Sequence, residues 1–401
     1  MGPTAPFRGA TVKEMEVAGG LAPRIGEPIG RTPLDRAEAA RAGVALIAGG
    51  QTPEGAYPAS PTFSAYRGYC WFRDGSFIAD AMSAAGHVES SERFFDWCAA
   101  ILRRRADHIH WIAAETASGR PPRADQMLPT RFTFDGRDGE DEWWDFQSDG
   151  YGTWLWALGE HCRRHGADPD RWGDAVDLTV EYLRAAWRRD CYDWWEEFPD
   201  HRHTSSVACV AAGLEAAATV LGRAGTGAGE AAQAARRMVV EEGSGQGLLV
   251  KWRGSTAVDG SLAAAIAPLS VIDPASSLAA GTIAAVEQRL AVGGGVHRYL
   301  GDTFFGGGLW PILSCFLGLA HAARGERGRA EELLDWSIGT ATAEGWIPEQ
   351  VADHLIAPGM RQAWVDKWGP VATPLLWSHA MVVRLATELE STPSVEEDVD
   401  K

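Results

Sequence analysis

Two adjacent carboxylates, Glu196 and Glu197, directly follow Trp194 and Trp195, and a long helical pattern begins at Thr204. A carboxyl group packed against indole rings loses hydration of its charged form, so its pKa rises and it can hold a proton near neutral pH. Such a group can protonate a leaving oxygen. Side chains that are neighbours on a turn point in different directions, so one glutamate can donate while the other binds. Taken alone, the stretch fits slightly better with core tryptophans beside solvated glutamates.

A second candidate carboxylate, Glu349, directly follows Pro348 in the segment Gly-Trp-Ile-Pro-Glu-Gln-Val (345–351). The fixed φ of proline restricts how the chain approaches the glutamate. Two glutamates from opposite walls of a pocket suit glycoside hydrolysis, in which one protonates the leaving oxygen and the other activates the attacking group. The motif alone is weak, because a capped and exposed glutamate explains it more often.

The composition of the chain limits the class of ligand and the compartment. The 401 residues carry a net charge of −17, which argues against a nucleic-acid backbone or an anionic membrane surface as partner. The 18 tryptophans include possible flat platforms for sugar rings, although many must belong to the core. The six cysteines occur singly, and no zinc-ligand spacing is present. No apolar run suits a secretion signal or a membrane span, so we expect a cytoplasmic protein without a metal site.

Helical periodicity dominates the chain and predicts how these residues are positioned. The first helix is predicted to have Thr32 as its N-cap and Pro33 at its first position. Later helical patterns, with short and long loops between them, cover residues 89–110, 148–165, 170–188, 204–223, 228–241, 261–267, 278–291, 308–324, 326–343 and 373–391. No convincing run of alternating strands intervenes. About twelve paired helices predict an all-α (α/α)6 barrel with a pocket formed by the loops at one end.

The predicted barrel divides the chain into three parts. We expect an N-terminal lead over residues 1–30, a catalytic domain over residues 31–391 and a disordered acidic tail over residues 392–401. One long loop, residues 119–147, is too polar for a core and too aromatic for a linker. Long ordered loops of this kind are often binding loops, so we expect this one to contact the ligand.

Five motifs occur in the order in which one enzyme family carries them. They are Tyr-Arg-Gly-Tyr-Cys-Trp-Phe-Arg-Asp-Gly (66–75), Trp-Glu-Glu (195–197), Arg-Tyr-Leu-Gly-Asp-Thr-Phe (298–304), Ile-Pro-Glu-Gln (347–350) and Pro-Leu-Leu-Trp-Ser-His-Ala (374–380). In these motifs the chain resembles glycoside hydrolase family 15, which includes glucoamylases, glucodextranases and bacterial trehalases. Members hydrolyse α-glucosides from the non-reducing end with inversion. The resemblance implies an (α/α)6 barrel, a small oligosaccharide as substrate and no cofactor.

The same resemblance implies roles for individual side chains. Glu196 matches the general acid, Glu349 matches the general base that activates water, and Glu197 matches an adjacent substrate-binding residue. Arg73 and Asp74 match the pair that binds the far hydroxyls of the non-reducing glucose. An arginine fork and a carboxylate can perform that task, because together they can bond two hydroxyls of one sugar edge. Of the two catalytic carboxyls, we expect Glu349 to have the lower pKa.

Further residues are assigned by the resemblance, and each also has an ordinary structural explanation as a core ring or local ion pair. Tyr66 corresponds to a family tyrosine near the attacking water if Gly68 counts as an insertion. Trp71 matches a ring that lines the glucose pocket, and either Trp143 or Trp144 matches a tryptophan near the leaving-group subsite. The rest of the predicted sugar-binding set comprises Trp195, Arg298, Tyr299, Asp302, Phe304, Trp310 and Trp377.

Two features bear on the substrate. Large bacterial members of the family carry an N-terminal β-sandwich, which we do not expect here, so a short oligosaccharide fits better than a polymer. Phe304 stands where many members have tyrosine, and members that act on isomaltose resemble this chain in having phenylalanine. We therefore expect hydrolysis of isomaltose or short α-1,6-linked glucosides, with trehalose or maltose as alternatives. A sugar-binding toroid without turnover is a competing class, but binding alone does not require both Glu196 and Glu349.

Overall fold

The computed structural model describes residues 35–143 and 146–391, which contain thirteen α-helices. The predicted lead over residues 1–30, the predicted tail over residues 392–401 and Trp144 lie outside the described residues. In chain order the helices are α1 (Arg36–Gly50), α2 (Phe72–Ala84), α3 (Val88–Arg104), α4 (Ala106–Ala117), α5 (Asp149–His165), α6 (Gly173–Ala186), α7 (Thr204–Thr219), α8 (Ala228–Arg237), α9 (Ser277–Leu290), α10 (Pro311–Ala323), α11 (Arg327–Gly339), α12 (Arg361–Trp368) and α13 (Leu376–Ser391).

Two rings account for most of these helices. The inner ring consists of α2, α5, α7, the 3₁₀ segment Gly260–Ala265, α10 and α13; each packs on the next, and α13 packs back on α2. Helices α1, α3, α6, α8, α9 and α11 pack outside them, so inner and outer members alternate along the chain. The predicted (α/α)6 barrel is therefore confirmed. The fourth of its six inner members, Gly260–Ala265, is a 3₁₀ segment rather than an α-helix.

Small and aromatic residues explain how the inner ring closes. Helices α5 and α7 approach closely because Gly152 faces Gly213; a Cβ atom on Gly213 would lie 2.2 Å from the Gly152 carbonyl oxygen. Phe77 of α2 lies 5.1 Å from the ring of Phe316 in α10 and 5.4 Å from that of Trp377 in α13. Trp194 joins this cluster 5.6 Å from Phe77. The centre of the barrel is therefore filled by interlocking rings, which form a packed core.

The connections between the rings differ in length at the two ends of the barrel. Passages from an inner to an outer helix can be very short, such as Ala85–His87 and Arg324–Glu326. Passages from an outer to an inner helix are long and comprise residues 51–71, 118–148, 187–203, 243–259, 291–310 and 340–375. Because the inner helices run in the same direction, these six loops meet at the end where the inner helices begin. Every residue of the predicted site lies in one of these loops or at the start of an inner helix.

Three local predictions differ from the structure. Helix α1 begins at Arg36 with Asp35 as its N-cap, in a capping box with Glu38, whereas Thr32, the predicted N-cap, lies outside the described residues. The predicted helix over residues 89–110 is two helices, because the backbone at Arg105 (φ −108°, ψ 13°) leaves the helical region. Short antiparallel ribbons that were not predicted pair β1 (Tyr69–Trp71) with β2 (Arg131–Thr133), β3 (Ser244–Gly245) with β4 (Leu248–Leu249), and β5 (Ala291–Val292) with β6 (Gly295–Val296).

None of the helices in the described part of the chain combines the length and apolar character needed to cross a membrane.

Candidate active site

The turn Asp193–Glu197, between α6 and α7, carries both neighbouring glutamates. The carboxylate of Asp193 accepts hydrogen bonds from the backbone N–H groups of Trp195 at 3.0 Å and Glu197 at 2.9 Å. Within this turn Glu196 has φ 63°, in the left-handed region that residues with a Cβ atom seldom adopt. The Asp193 bonds hold this conformation and so fix the direction in which the Glu196 side chain leaves the backbone.

The half-buried Glu196 carboxyl accepts its side-chain hydrogen bonds on one oxygen. Oε1 accepts from Trp71 Nε1 at 2.7 Å and from Gln147 Nε2 at 3.3 Å. Oε2 accepts no hydrogen bond from the described residues. The sequence pointed to Trp194 as a ring that desolvates this carboxyl, but Trp194 packs in the barrel centre. The indole that bonds Glu196 is that of Trp71, from the loop that precedes α2.

Glu197 points toward the loop that precedes α10. The hydroxyl of Tyr299 donates to Glu197 Oε2 at 2.5 Å, and Arg298 Nη2 lies 3.6 Å from Glu197 Oε1. Burial raises the pKa of Glu197, and the nearby Arg298 guanidinium opposes that shift. Arg298 also donates through Nε to Asp302 Oδ2 at 2.8 Å. The two neighbouring glutamates therefore have different partners on different walls of the site.

The Arg298 guanidinium is enclosed by aromatic rings. Its Cζ lies 5.2 Å from the ring centroid of Trp195, 5.1 Å from that of Phe304 and 5.3 Å from that of Trp310. A planar guanidinium binds well to aromatic faces, and its ion pair with Asp302 satisfies its charge inside the protein. This packing assigns Trp195, Phe304 and Trp310 to one wall of the site.

Glu349, on the loop between α11 and α13, is deeply buried, with 3% of the residue exposed. Its Oε1 accepts a hydrogen bond from the Tyr66 hydroxyl at 2.9 Å. Its Oε2 is buried and has no hydrogen-bond partner among the described residues. Burial raises the pKa of Glu349 to about 8, although the Tyr66 hydroxyl and Arg298 lower it. We expected Glu349 to have the lower pKa of the two glutamates, but burial raises its pKa because the loop removes the carboxyl from water without an ion pair.

Arg73 and Asp74 stand in the first turn of α2, and both are buried. Arg73 Nη1 donates to Gln147 Oε1 at 2.7 Å, and Arg73 Nη2 lies 3.3 Å from Asp74 Oδ2. Neither Arg73 Nε nor Asp74 Oδ2 has a hydrogen-bond partner among the described residues. Burial raises the pKa of Asp74 to about 6, against the opposing charge of Arg73. Buried polar atoms are normally paired, so these atoms indicate the position of a polar ligand.

The predicted leaving-group side of the site is lined by aromatic rings packed edge to face. The Trp71 and Trp143 rings lie 5.8 Å apart at 72°, and the Arg131 guanidinium lies 3.9 Å from the Trp143 ring. Arg131 also lies 3.8 Å from the ring of Tyr69, so β1 and β2 support this wall. A cavity of about 480 Å³ opens beside Trp143. Trp144, the alternative to Trp143, lies outside the described residues.

The two candidate catalytic glutamates are linked across the site by direct contacts. The Tyr66 ring, which bonds Glu349, lies 5.4 Å from the Trp71 ring, which bonds Glu196. Two residues far apart in sequence are thus joined through two aromatic side chains. Trp377 lies deeper, stacked on Phe77 in the barrel centre, with the Arg73 guanidinium 5.6 Å from its ring. It therefore supports Arg73 from below rather than lining the open pocket.

Sequence reasoning missed several polar residues that organise the site. Gln147 bridges Arg73 and Glu196, and Gln350 accepts a hydrogen bond from the backbone N–H of Gly308 at 2.9 Å. Asp193, Lys251 and Asp259 form a buried charged cluster beneath the Glu196 turn. The apolar run Leu-Leu-Val before Lys251 was an available signal, since a lysine in such a run is either at an edge or buried with partners.

In the described ranges, no group of three His, Cys, Asp or Glu side chains could hold a metal ion.

A comparison with family models gives a match to glycosyl hydrolases family 15 over residues 39–304. The chain belongs to glycosyl hydrolase family 15. This family 15 chain is 49% identical over 365 residues to an isomaltose glucohydrolase from Kribbella flavida, covering 90% of this chain and 95% of the relative. It is therefore a glycoside hydrolase, as the motifs predicted.

Solved structures agree with the family 15 assignment. A glycosidase in complex with glucose has 49% sequence identity to this chain and a TM-score of 0.86, with 89% of this chain and 98% of that chain covered. A bacterial glucoamylase complexed with acarbose has a TM-score of 0.69 at 19% identity, covering 88% of this chain and 55% of that chain. At that identity the second comparison supports the barrel fold alone.

Proposed function

We propose that this family 15 hydrolase is an inverting, exo-acting α-glucosidase that releases β-glucose from the non-reducing end of isomaltose or short α-1,6-linked glucosides. One geometric observation carries the proposal. Glu196 and Glu349 enter one site from different loops, and each has one carboxyl oxygen held by the protein and one without a hydrogen bond from the described residues. A general acid and a general base each need such an oxygen directed at the substrate or at water.

Glu196 is the proposed general acid, and its hydrogen bonds indicate where its proton resides. Two N–H donors, from Trp71 and Gln147, point at Oε1. An oxygen that accepts two N–H groups is a poor place for a hydroxyl proton, so the acid proton belongs on Oε2. Donation from Oε2 to the glycosidic oxygen breaks the bond between that oxygen and C1, and leaves Glu196 ionised.

Glu349 is the proposed general base. In its ionised form, Oε2 takes a proton from a water while that water attacks C1 on the face opposite to the leaving oxygen. The Tyr66 hydroxyl holds Oε1 and so orients the carboxylate toward the water. After the reaction Glu349 carries a proton and Glu196 lacks one, and exchange with solvent restores both. We expect the two carboxyl groups to lie about 6.5–9.5 Å apart with substrate bound, which leaves room for the water.

Arg73 and Asp74 are the proposed ligands for the non-reducing glucose, because they are buried at the base of the site with unpaired polar atoms. Glu197, Arg298 and Asp302 form the opposite polar wall, with Arg298 held by both carboxylates. Sugar hydroxyls can donate to carboxylates and accept from a guanidinium, so both groups suit a neutral hexose. The tryptophan faces of the site offer apolar surfaces for the sugar ring.

The identity of the substrate rests on two supports. The similar protein from Kribbella flavida is named for isomaltose, and it matches this chain over nearly its whole length. Phe304 packs against Arg298 and Trp310 at the wall of the site. A phenylalanine at this position is the residue that we expect in members acting on isomaltose. The six cysteines are buried and without disulfides, which supports our further proposal of a reducing, cytoplasmic compartment.

Proton NMR during hydrolysis of methyl α-isomaltoside, whose locked reducing end releases methyl α-glucoside and no free glucose, tests this proposal. We expect β-glucose to appear first, followed by α-glucose as mutarotation proceeds. Parallel assays with maltose, trehalose and dextran measure linkage preference, and we expect the highest kcat/KM on isomaltose. Early α-glucose would overturn inversion, and a clear preference for trehalose or maltose would overturn the assignment of substrate.

A further inference from the structure

A buried lysine lies directly beneath the turn that carries Glu196. Lys251 is 3% exposed, and its Nζ lies 3.0 Å from Asp193 Oδ2 and 2.7 Å from Asp259 Oδ2. Both aspartates are themselves buried, at 2% exposure each. Burying an ammonium group is costly unless it is paired, so this arrangement is a specific feature of the fold rather than a surface ion pair.

Both aspartates hold the Glu196 turn, but at different points. Asp193 accepts the backbone N–H groups of Trp195 and Glu197 through Oδ1. Asp259 accepts the indole N–H of Trp195, with Nε1 3.0 Å from Oδ2. Lys251 pairs with both aspartates. Its one ammonium group therefore links Asp193, which holds the backbone of the turn, to Asp259, which holds the Trp195 side chain.

The same ammonium also reaches the Glu197 side of the site. Lys251 Nζ lies 3.7 Å from the ring centroid of Tyr299, whose hydroxyl donates to Glu197. A cation on the face of a tyrosine ring fixes the position of that ring. One lysine side chain thus contacts three groups that position the neighbouring glutamates.

We propose that Lys251 is a positioning residue for the general acid, acting through Asp193 and Asp259; this inference rests on the proposed acid role of Glu196. Without the ammonium, two buried carboxylates would face each other with no cation between them. One would have to take up a proton or move, because like charges at this distance disfavour each other. The Asp193 bonds would then weaken, and Glu196 would leave its left-handed conformation and its alignment with the leaving oxygen.

Two substrates distinguish acid positioning from general damage. Isomaltose has an alkoxide leaving group that needs protonation, whereas α-glucosyl fluoride releases fluoride, which does not need it. We expect Lys251→Met to lower kcat on isomaltose about 100-fold, the scale expected for misplacing a catalytic group. On α-glucosyl fluoride we expect kcat to fall by less than about 10-fold, because proton donation contributes most to the rate when the leaving group is poor. Lys251→Arg, which keeps the charge, should recover most of the isomaltose activity.

Controls make each outcome decisive. Arg253→Met removes a charge two residues away at an exposed position and should change neither kcat. If Lys251→Met does not fold, Asp259→Asn provides the same comparison, since it removes one partner of the lysine while keeping an acceptor for Trp195. Equal losses on both substrates would overturn the positioning role. If the wild-type enzyme hydrolyses neither substrate, the proposed function fails instead.

Discussion

Helix α2 buries an aspartate near each end, and the two have opposite surroundings. Asp80, toward the C-terminal end, is 1% exposed and is bonded by Arg164 Nη2 at 2.9 Å and Arg384 Nε at 3.0 Å. Asp74, in the first turn, has one arginine at 3.3 Å and a buried Oδ2 that lacks a hydrogen bond from the described residues. The same residue type on one helix is fully paired at one end of the barrel and left open at the other.

This difference separates stabilising charge from charge available to a ligand. An incompletely paired buried carboxylate costs folding free energy, so its persistence needs another explanation. The open end holds Asp74 and Glu349, and burial raises the pKa of both. Clusters of perturbed pKa values in a pocket indicate a functional site. We therefore expect substitutions at the two ends of the barrel to affect different measurements.

The largest expected effect comes from the two proposed catalytic glutamates at the open end. Glu196→Gln and Glu349→Ala should each lower kcat on isomaltose by about two to four orders of magnitude, the usual contribution of general acid–base catalysis. Both variants should still fold, because neither carboxyl is in an ion pair in the described structure. Steady-state kinetics together with thermal unfolding would measure both properties. Near-normal turnover in either variant would refute the assigned role.

The two aspartates of α2 form a matched pair for a direct test. Asp74→Asn should lower kcat/KM by about 100-fold, since loss of a charged hydrogen bond to a sugar hydroxyl is worth up to about 3 kcal/mol. Asp80→Asn should instead lower the free energy of unfolding by about 3 kcal/mol, because two arginines lose their buried anion. It should leave kcat unchanged. Urea unfolding and kinetics on both proteins give the comparison. If Asp80→Asn loses activity while stable, or Asp74→Asn loses stability while active, the two ends do not differ as proposed.

Stability against pH gives a third contrast, centred on Glu349. Its folded pKa of about 8 lies above the unfolded value, so its favourable contribution is full at low pH and is lost as pH rises toward 8. Glu349→Gln lacks this titration and should be more stable than the wild type by about 3 kcal/mol at pH 7, with the gain shrinking toward pH 5. The exposed control Glu54→Gln should show no such trend. A constant difference at all pH values would argue against a raised pKa.

Sequence patterns predicted the fold and the main loops, because both depend on local signals. Helical periodicity indicates the inner and outer helices, and the resemblance singled out Arg73, Glu196 and Glu349, which lie at the start of α2 and in two of the loops. The pattern could not reveal Lys251 or Gln147, since their roles arise from contacts between distant loops. It also misjudged the pKa of Glu349, because the burial of that carboxyl is produced by packing of loops that are not adjacent in sequence.

The smallest expected effect concerns the hydroxyl of Tyr66. Its hydrogen bond to Glu349 Oε1 favours the ionised carboxylate, so Tyr66→Phe should raise the pKa of Glu349 further. The base must be ionised to accept a proton, and activity is therefore lost as pH falls through this pKa. We expect the acidic limb of the kcat/KM profile to move upward by about one pH unit, the shift that a hydrogen bond of about 1.4 kcal/mol produces.

A matched control for Tyr66→Phe is Tyr57→Phe, which removes another buried hydroxyl of the same loop, one that bonds Ser90 of α3 at 2.7 Å rather than a glutamate of the site. Tyr57→Phe should leave the acidic limb in place even if it lowers stability. The contrast isolates the effect of the Tyr66 hydroxyl on the base from the general cost of deleting a buried hydrogen bond. An acidic limb that is the same in both variants would mean that Tyr66 holds the loop but does not control the ionisation of Glu349.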